Sequence, residues 1–419
     1  MANLNQHADV ASTTEINHVD IAIVGGAMAG ATLALGLAEL AKQQAGSKPI
    51  TIALIEAHKP SREHPGFDAR SIAISHGSIF ELKQLGLWQH LDPLAEPIHN
   101  IHISERGNFG MTELNRESFH LPYLGKVVEL EAVGKKLFSL LEQSDVALYC
   151  PAKLQNVVAG IDSQLLTLDD GQQIAAKLLI AADGVNSKVR QAFKQPLEQV
   201  DFNQTAIIAN IQVEQPHHGW AYERFTQTGP LALLPMATSQ GESRLSMVWA
   251  LDPTNAERLL KAPKAEFISE LQQAFGYRAG RFTDVGERFS YPLMLSYMAR
   301  PIYQRTIFLG NAAQTLHPIA GQGFNLGLRD VVCVLDVLKQ VLTNPEGHDI
   351  GSAVVTHAYL ERRKADRQST MNNIEFLVRG FSNDYWPLVI GRNLGLRLLS
   401  WFPPLKAPVA RRAMGWHKG

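Results

Sequence analysis

The sequence contains very little cysteine: Cys150 and Cys333 are the two such residues in a chain of 419. They lie far apart and form no C-x-x-C motif, which excludes a disulfide framework and a thiolate metal cage. The 15 histidines contain no H-E-x-x-H sequence and no cysteine-histidine cluster at zinc spacing. We therefore predict no metal site and a location in a reducing compartment, the cytoplasm.

An excess of charge of one sign is also absent. The 39 Lys and Arg residues nearly balance the 40 Asp and Glu residues, so the formal net charge is -1. Proteins that bind nucleic acid carry a strong positive field that attracts the phosphates. Because this chain has none overall, we expect no nucleic-acid partner. No apolar run reaches the roughly 18 residues of a membrane-spanning helix. The polar residues 1–17 are predicted to be a flexible tail rather than a signal peptide.

Apolar residues, by contrast, are plentiful. Hydrophobic residues make up 45% of the chain and charged residues 19%, which is typical of a globular protein with a large core. The length predicts two or three folded units. From His18 to Glu56, a Val- and Ile-rich strand, a glycine turn, a helix and a second buried strand follow one another. This βαβ pattern predicts an α/β protein with a parallel sheet.

Similar buried strands that stop at a turn recur at 177–184 and 305–311, whereas residues 200–290 resemble strands separated by polar turns. We therefore predict a second, mostly antiparallel β domain that is inserted into the first. The predicted first domain comprises 18–95, 120–195 and 285–350, the second comprises 96–119 and 196–284, and 351–419 form a helical C-terminal region.

The turn after the first strand has a glycine pattern suited to a dinucleotide. Gly25 and Gly30 stand at the positions for a tight turn and for helix packing, while Ala27 replaces the middle glycine. A glycine turn without a ligand would give the same pattern, but the strand-helix-strand order favours binding. The N–H groups expected to hold the phosphates belong to Gly25, Gly26, Ala27, Met28, Ala29 and Gly30.

Glu56 follows the second strand and is placed to accept the hydroxyls of an adenosine ribose. An acid at this position disfavours a 2′-phosphate, so it favours FAD or NAD over NADP.

A second glycine-rich segment spans residues 310–330 and leads into a helix with apolar residues at 3.6-residue spacing. Glycine costs backbone entropy, so such a cluster indicates a backbone that must approach a ligand closely.

The run H-P-I-A-G-Q-G-F-N-L-G-L-R-D at 317–330 resembles the signature of the FAD-dependent aromatic-ring hydroxylases of ubiquinone biosynthesis, which are related to p-hydroxybenzoate hydroxylase. The chain is most similar to their 2-octaprenyl-6-methoxyphenol hydroxylase branch, because G-N-A-A-Q at 310–314 replaces the G-D-A-A-H of the wider class. Other segments that carry the resemblance are V-G-G-A-M-A-G (24–30), F-D-A-R-S-I-A-I (67–74), V-V-E-L (127–130), A-D-G (182–184) and G-P-L-A-L-L-P-M (229–236).

The resemblance implies a Rossmann-like FAD-binding domain with an inserted, mostly antiparallel β substrate domain and a helical C-terminus. It implies hydroxylation of 2-polyprenyl-6-methoxyphenol to the 1,4-benzoquinol through a flavin C4a-hydroperoxide, with O2 as co-substrate. NAD(P)H is the expected reductant. Because the sequence has no second nucleotide-binding pattern, it would bind transiently or be replaced by a separate electron donor.

The resemblance also implies an FAD site made of residues from distant parts of the chain. Asn311 would bond a ribityl hydroxyl, and the N–H groups near Gly323 would face the flavin edge where negative charge develops. His317 and Pro318 are candidates at the flavin face, and we expect His317 to orient the loop rather than to move a proton. The implied cofactor contacts are Arg70, Val128, Asp183, Gly310, Asn311, Pro318, Gly321, Gln322, Gly323, Phe324 and Asn325.

Two of these contacts have plainer alternatives. Arg70 could form a surface salt bridge with Asp68, and Asp183 could be an ordinary turn aspartate before a glycine.

The expected substrate is a polyprenyl phenol, and the family resemblance implies that strand 229–236 faces its pocket. Alternation puts Leu231, Leu233 and Pro235 on one side of this strand, although a plain core strand would look the same. A rival substrate, a soluble aromatic acid, would need a pocket arginine, for which Arg224 beside Phe225 is the candidate. A non-catalytic prenyl-lipid carrier is the other alternative, but it would not need Glu56 or a bare Gly-Gln-Gly backbone.

Residues 391–419 contain six basic residues, several aromatic and leucine residues, and no acid. This composition is typical of a segment that lies on a membrane surface, while a helical lid packed on the domain is the alternative. We expect a cytoplasmic protein that contacts the inner membrane peripherally and associates with other proteins of ubiquinone biosynthesis.

Overall fold

The structure is a computed structural model that describes residues 15–43, 50–61, 70–107, 110–239, 241–316, 322–343, 349–381, 411 and 414–416. In chain order the strands are β1 (Ile16–Val24), β2 (Ile52–Ile55), β3 (Ser71–Ser75), β4 (Ala95–Ile98), β5 (Asn100–Glu105), β6 (Met111–Asn115), β7 (Gly125–Glu129), β8 (Ala147–Tyr149), β9 (Leu154–Ala159), β10 (Gln164–Leu168), β11 (Gln173–Ala181), β12 (Glu198–Val213), β13 (Trp220–Thr226), β14 (Gly229–Ser239), β15 (Glu242–Leu251), β16 (Phe282–Val285), β17 (Phe289–Tyr297), β18 (Ile302–Tyr303), β19 (Thr306–Phe308) and β20 (Gln314–Thr315). The α-helices are α1 (Met28–Gln43), α2 (His76–Gln84), α3 (Trp88–Leu91), α4 (Leu130–Glu142), α5 (Lys188–Ala192), α6 (Pro253–Lys261), α7 (Lys264–Phe275), α8 (Gln322–Leu342) and α9 (Ala353–Phe381), with 3-10 turns at Asp92–Leu94, Arg116–Phe119 and Gly310–Ala312.

The first sheet has the order β18-β19-β11-β1-β2-β8, and its neighbours from β19 to β8 run parallel. Its strands are buried on both faces, with α1, α4 and α8 in the core on one side. Val24 pairs with Ile55 on one neighbour and with Ala181 on the other. The carboxyl ends of β1, β2 and β11 therefore lie side by side, which is where ligands bind in sheets of this kind.

The second sheet has the order β20-β17-β12-β15-β14-β13-β5-β6, and only the β13–β5 pair within this order is parallel. Helices α6 and α7 cover one face, where the Trp249 and Phe267 rings lie 6.1 Å apart. The α/β fold class with a mostly antiparallel second sheet and a C-terminal helix is confirmed.

The division into domains stays a proposal, with one boundary changed. β17 pairs with β12 along most of its length, so residues 289–297 belong to the second sheet and the boundary at 285 is too early. The sequence could not indicate this, because β17 follows β16 after only a short turn.

A small antiparallel sheet, β3-β7-β4, lies between the two larger units. Leu234 of β14 packs against Ile98 of β4 and Val127 of β7, and Arg244 of β15 donates to Glu129 at 3.1 Å. These contacts fix the second sheet relative to the small sheet, and thereby to the first unit, which consists of the first sheet and the helices α1, α4 and α8. Within the described ranges, no helix combines the length and apolar composition needed to cross a bilayer.

Candidate functional site

The turn after β1 is compact because two glycines let backbone approach backbone. Gly25 has a φ of +101°, which favours glycine, and its N–H donates to the Ile55 carbonyl at 2.8 Å. A Cβ atom on Gly25 would overlap the carbonyl of Ala182, and one on Gly30 would overlap the carbonyl of Gly25. The start of α1 is thereby held against the end of β11, with its N–H groups directed out of the sheet edge.

Glu56 lies at this edge and is only 6% exposed. Its Oε2 accepts the Gly26 N–H at 2.5 Å, and its Oε1 accepts the His58 N–H at 2.9 Å. The carboxylate is therefore fixed beside the glycine turn, at the edge of the sheet where an adenosine ribose is expected.

Asp183 follows β11 and faces the same turn. Its Oδ2 accepts the N–H groups of Lys188 at 2.7 Å and Val189 at 3.2 Å. This one oxygen therefore caps the start of α5. Its Oδ1 is buried and has no hydrogen-bond partner in the described part of the chain. Burial raises the pKa of this carboxyl even though these N–H groups act in the opposite direction. An ordinary turn aspartate would not leave a buried oxygen unsatisfied.

The second glycine-rich segment meets the first. Gly310 adopts a φ of +56°, and a Cβ atom built on it would lie 3.4 Å from the Ala29 Cβ. A Cβ atom on Gly327 of α8 would lie 3.4 Å from the Gly310 Cα. The structure thus brings together the start of α1, the Gly310 turn and α8, which are nearly 300 residues apart at their extremes.

The first turn of α8 differs from these crowded glycines. Among the residues that the structure describes, apart from the neighbouring residues of α8 itself, no atom lies within 4 Å of the position that a Gly323 Cβ would occupy, so their packing does not require glycine there. Asn311 is exposed as well, whereas Phe324 packs partly against the first core. Open space beside bare backbone at a helix N-terminus suits an approaching ligand.

The Asn325 side chain has a structural role. It is 2% exposed; its Oδ1 accepts the Ser75 N–H and its Nδ2 donates to the Ala73 carbonyl, both at 3.0 Å. These bonds fix the start of α8 against β3, and they leave the backbone rather than the side chain of Asn325 to face a ligand.

The remaining predicted contacts lie outside the glycine cradle or outside the described residues. The Arg70 guanidinium lies 5.2 Å from the centre of the Tyr291 ring on β17. Val128 is fully buried in the middle strand of the small sheet, between Ile72 and Ala95. His317, Pro318 and Gly321 lie outside the described residues, while Gln322 begins α8.

The structure places Leu231, Leu233 and Pro235 on the face of β14 that meets helices α6 and α7, which favours the plain core strand, and their role in a substrate pocket stays a prediction. Leu231 and Leu233 are fully buried in the core between the second sheet and α6–α7, and Pro235 shares their side by alternation. Alternation identified the set correctly, but a single strand does not show which of its faces meets the helices.

The opposite face of the second sheet is the one directed at the first unit. It carries apolar side chains that are only partly buried: Ile208, Ala232, Leu234 and Val248. Near one end, Phe225 clusters with Leu316, which follows the Gly310 turn, and with Ile374 of α9. The alternate residues of G-P-L-A-L-L-P-M were the available sequence signal for this wall, and the sequence analysis did not name them.

Comparison with known proteins agrees with this geometry. The model of the FAD binding domain family matches residues 18–366. Ubiquinone hydroxylase UbiL of Rhodospirillum rubrum is 33% identical over 398 residues, which cover 94% of this chain and 89% of that protein. The 3-demethoxyubiquinol 3-hydroxylase of Escherichia coli is 32% identical over 402 residues, covering 94% and 98%.

Among solved structures, Klebsiella pneumoniae HpxO complexed with FAD and uric acid aligns with a TM-score of 0.74 at 14% identity, covering 96% of this chain and 98% of that one. This likeness shows the fold. The family matches confirm the resemblance read from the motifs. The chain therefore belongs to the family of FAD-dependent monooxygenases that includes the ubiquinone hydroxylases.

Proposed function

We propose that this protein hydroxylates the ring of a polyprenylated methoxyphenol, 2-polyprenyl-6-methoxyphenol, in ubiquinone biosynthesis. The observation that carries the proposal is that the glycine-built cradle adjoins the second sheet: Leu316, just after the Gly310 turn, packs with Phe225 of β13, on the sheet face that carries partly buried apolar residues. The full-length similarity to enzymes named as ubiquinone hydroxylases supports the substrate class.

The residues of the cradle fit FAD. Crowded glycines fix the α1 N-terminus. Within the described ranges, one buried oxygen of Asp183 has no hydrogen-bond partner and no side chain fills the space beside Gly323. We propose that the N–H groups of 26–30 hold the pyrophosphate, that Glu56 accepts the ribose hydroxyls and that Asn311 bonds the ribityl chain. Bound FAD supplies the redox chemistry that activates O2 for transfer of one oxygen atom to the ring.

The protein groups around the cleft then have three tasks. The N-terminus of α8, with the backbone of 322–325, stabilises negative charge at the flavin edge by about 0.3–1 kcal/mol, and by up to about 2 kcal/mol when partly buried. Ile208, Ala232 and Val248 exclude water and hold the aromatic ring. No protein nucleophile is required, because the cofactor carries the difficult step.

The ring position and the reductant are finer proposals. The 6-methoxyphenol substrate rests on Asn311 and Gln314, which distinguish this chain from the wider class. We also propose that NAD(P)H reduces the flavin during a transient visit.

The rival substrate, a soluble aromatic acid, is disfavoured by the position of Arg224. This residue pairs with Leu231 across β13 and β14, so it lies on the α6–α7 side of the sheet rather than in the cleft. Its pKa is lowered by burial and by the nearby charges of Arg106 and Arg278.

We propose in addition that the basic segment 391–419 contacts a membrane surface, where a substrate with a long isoprenoid tail resides. Within it the structure describes 411 and 414–416. Met414 is 3% exposed and accepts the Gly77 N–H at 2.8 Å, and the Trp416 ring lies 5.7 Å from that of Phe80. These contacts attach residues 414–416 to α2, and we propose that the basic residues before them contact lipid. A complex with other ubiquinone-biosynthesis proteins stays a proposal.

Membrane contact is tested by flotation with vesicles that contain anionic lipid. Replacing Arg392, Arg397 and Lys406 with Gln is expected to lower the floated fraction several-fold, because each cation near an anionic surface contributes about 1 kcal/mol. A matched triple replacement of the exposed Arg258, Lys261 and Lys264 on the second unit serves as the control. Equal flotation of wild type and the first variant would end the membrane proposal.

The cofactor role of α8 is tested by Gly323→Ala. The added methyl meets no protein atom, so the apoprotein should unfold at the wild-type temperature. It should intrude on FAD, and the Kd from flavin fluorescence should rise about tenfold, or about 1.4 kcal/mol.

Gly36→Ala is the opposite control. Its methyl would lie 2.8 Å from the Leu335 Cδ1 in the core, so it should destabilise the apoprotein and leave the FAD affinity unchanged. A wild-type Kd for Gly323→Ala would remove α8 from the cofactor site.

The substrate is tested by deleting the gene and analysing prenylated intermediates under aeration. We expect 2-polyprenyl-6-methoxyphenol to accumulate and to be consumed after expression of wild type but not of Gly30→Ala, whose methyl would overlap the Gly25 carbonyl. Accumulation of a later methoxylated intermediate would move the reaction to another ring position, and a normal quinone profile would contradict the proposal.

A further inference from the structure

A network of charged side chains lies behind the Gly310 turn, on the side away from the open cleft. It joins α8 and α9 to the turn, and its members are almost completely buried. Those with a relative exposure of 5% or less are Gln314, Asp330, Arg363 and Arg367.

Asp330 of α8 is the centre of this network and is 0% exposed. Its Oδ2 accepts the Gly310 N–H at 3.2 Å and the Gln314 Nε2 at 2.6 Å. Its Oδ1 accepts the Arg363 Nε at 2.8 Å. One carboxylate thus connects both ends of the Gly310–Gln314 turn to helix α9.

Gln314 makes the second connection. Its amide oxygen accepts the Arg367 Nε at 2.9 Å, while an Arg367 terminal nitrogen donates to the Met298 carbonyl at 3.0 Å. The amide therefore donates to Asp330 and accepts from Arg367 at the same time. A neutral side chain with a donor and an acceptor on one planar group suits this position.

Two carboxylates stabilise the buried guanidinium of Arg363. Burial alone would lower the pKa of Arg363, but attraction to Asp330 and Asp366 outweighs it and raises the pKa. Asp366 also accepts the Arg329 Nε at 2.8 Å. Arg367, in contrast, bonds to neutral acceptors in the described residues, so its cation is held by the turn itself.

The turn needs this support because its own backbone is permissive. Gly310 adopts the left-handed region, and glycine has more conformational freedom there than any other residue. On the other side, Arg190 donates to the Ala312 carbonyl at 2.9 Å. Arginines from two helices therefore hold the turn that carries the exposed Asn311.

We propose that Arg363 and Arg367 of α9 are positioning residues of the FAD site. Through Asp330 and Gln314 they hold the Gly310–Thr315 turn in the conformation that presents Asn311 and the start of α8 to the cofactor. The inference rests on the proposed FAD contacts but not on the identity of the aromatic substrate.

The test measures FAD binding by apoprotein variants through flavin fluorescence, together with the unfolding temperature of each apoprotein. Arg367→Met should raise the Kd for FAD about tenfold or more. Arg367→Lys should give an intermediate Kd, because one ammonium cannot reproduce the two-nitrogen fork that spans Gln314 and Met298. The visible spectrum of bound flavin should shift in Arg367→Met, since the turn would relax.

Two controls separate positioning from a general loss of stability. Arg362→Met removes an exposed arginine of the same helix that bonds Gln340, and its Kd should stay within about twofold of wild type. Tyr359→Phe removes the buried bond from α9 to the Phe308 carbonyl, so it should lower the unfolding temperature and leave the Kd unchanged.

A wild-type Kd for Arg367→Met would overturn the proposal, as would an equal rise in Tyr359→Phe. If Arg367→Met does not fold, a wild-type Kd and spectrum for Arg367→Lys would overturn it. The FAD-binding test uses no phenol substrate. A negative result for Arg367 would therefore leave the proposed hydroxylation standing, and a failure of the hydroxylation test would leave the FAD-binding result standing.

Discussion

Close contact of backbone with backbone is the constraint on which the site depends. Gly25 must lie against the carbonyl of Ala182, and Gly30 against that of Gly25, or the start of α1 cannot reach the carboxyl edge of the sheet. Gly310 then lies against Ala29, and α8 against Gly310. A Cβ atom on Gly25 or Gly30 would push the start of α1 away from the carboxyl edge of the sheet. The cradle therefore requires glycine at both positions.

Buried charge supports the cradle from behind. Glu56 and Asp330 each use a carboxylate to fix backbone N–H groups of a glycine turn, Gly26 in one case and Gly310 in the other. Such buried carboxylates are stable only when their oxygens are bonded, and Asp330 reaches this state through Gln314 and Arg363. The helix α9 therefore contributes to the cofactor region, although none of its residues belongs to the glycine motifs.

The convergence of the two glycine segments was implied by the family resemblance, whereas local pattern was sufficient to predict the βαβ unit and the position of Glu56 after the second strand. Each depends on residues whose spacing is fixed by one strand or one turn. The face of β14 could not be predicted in the same way, because Leu231 and Leu234 are equally apolar and only α6–α7 decide which is core. The network of α9 was missed because Arg367 and Gln314 are 53 residues apart and nothing local links them.

We propose that three remote segments, 25–30, 182–184 and 310–325, enclose one FAD molecule. The decisive experiment is a crystal structure of the protein with FAD. We expect pyrophosphate oxygens within about 2.7–3.2 Å of N–H groups of residues 26–30 and the flavin edge beside 322–325. Density for FAD elsewhere, for example in the groove between 159–161 and 351–357, would contradict it.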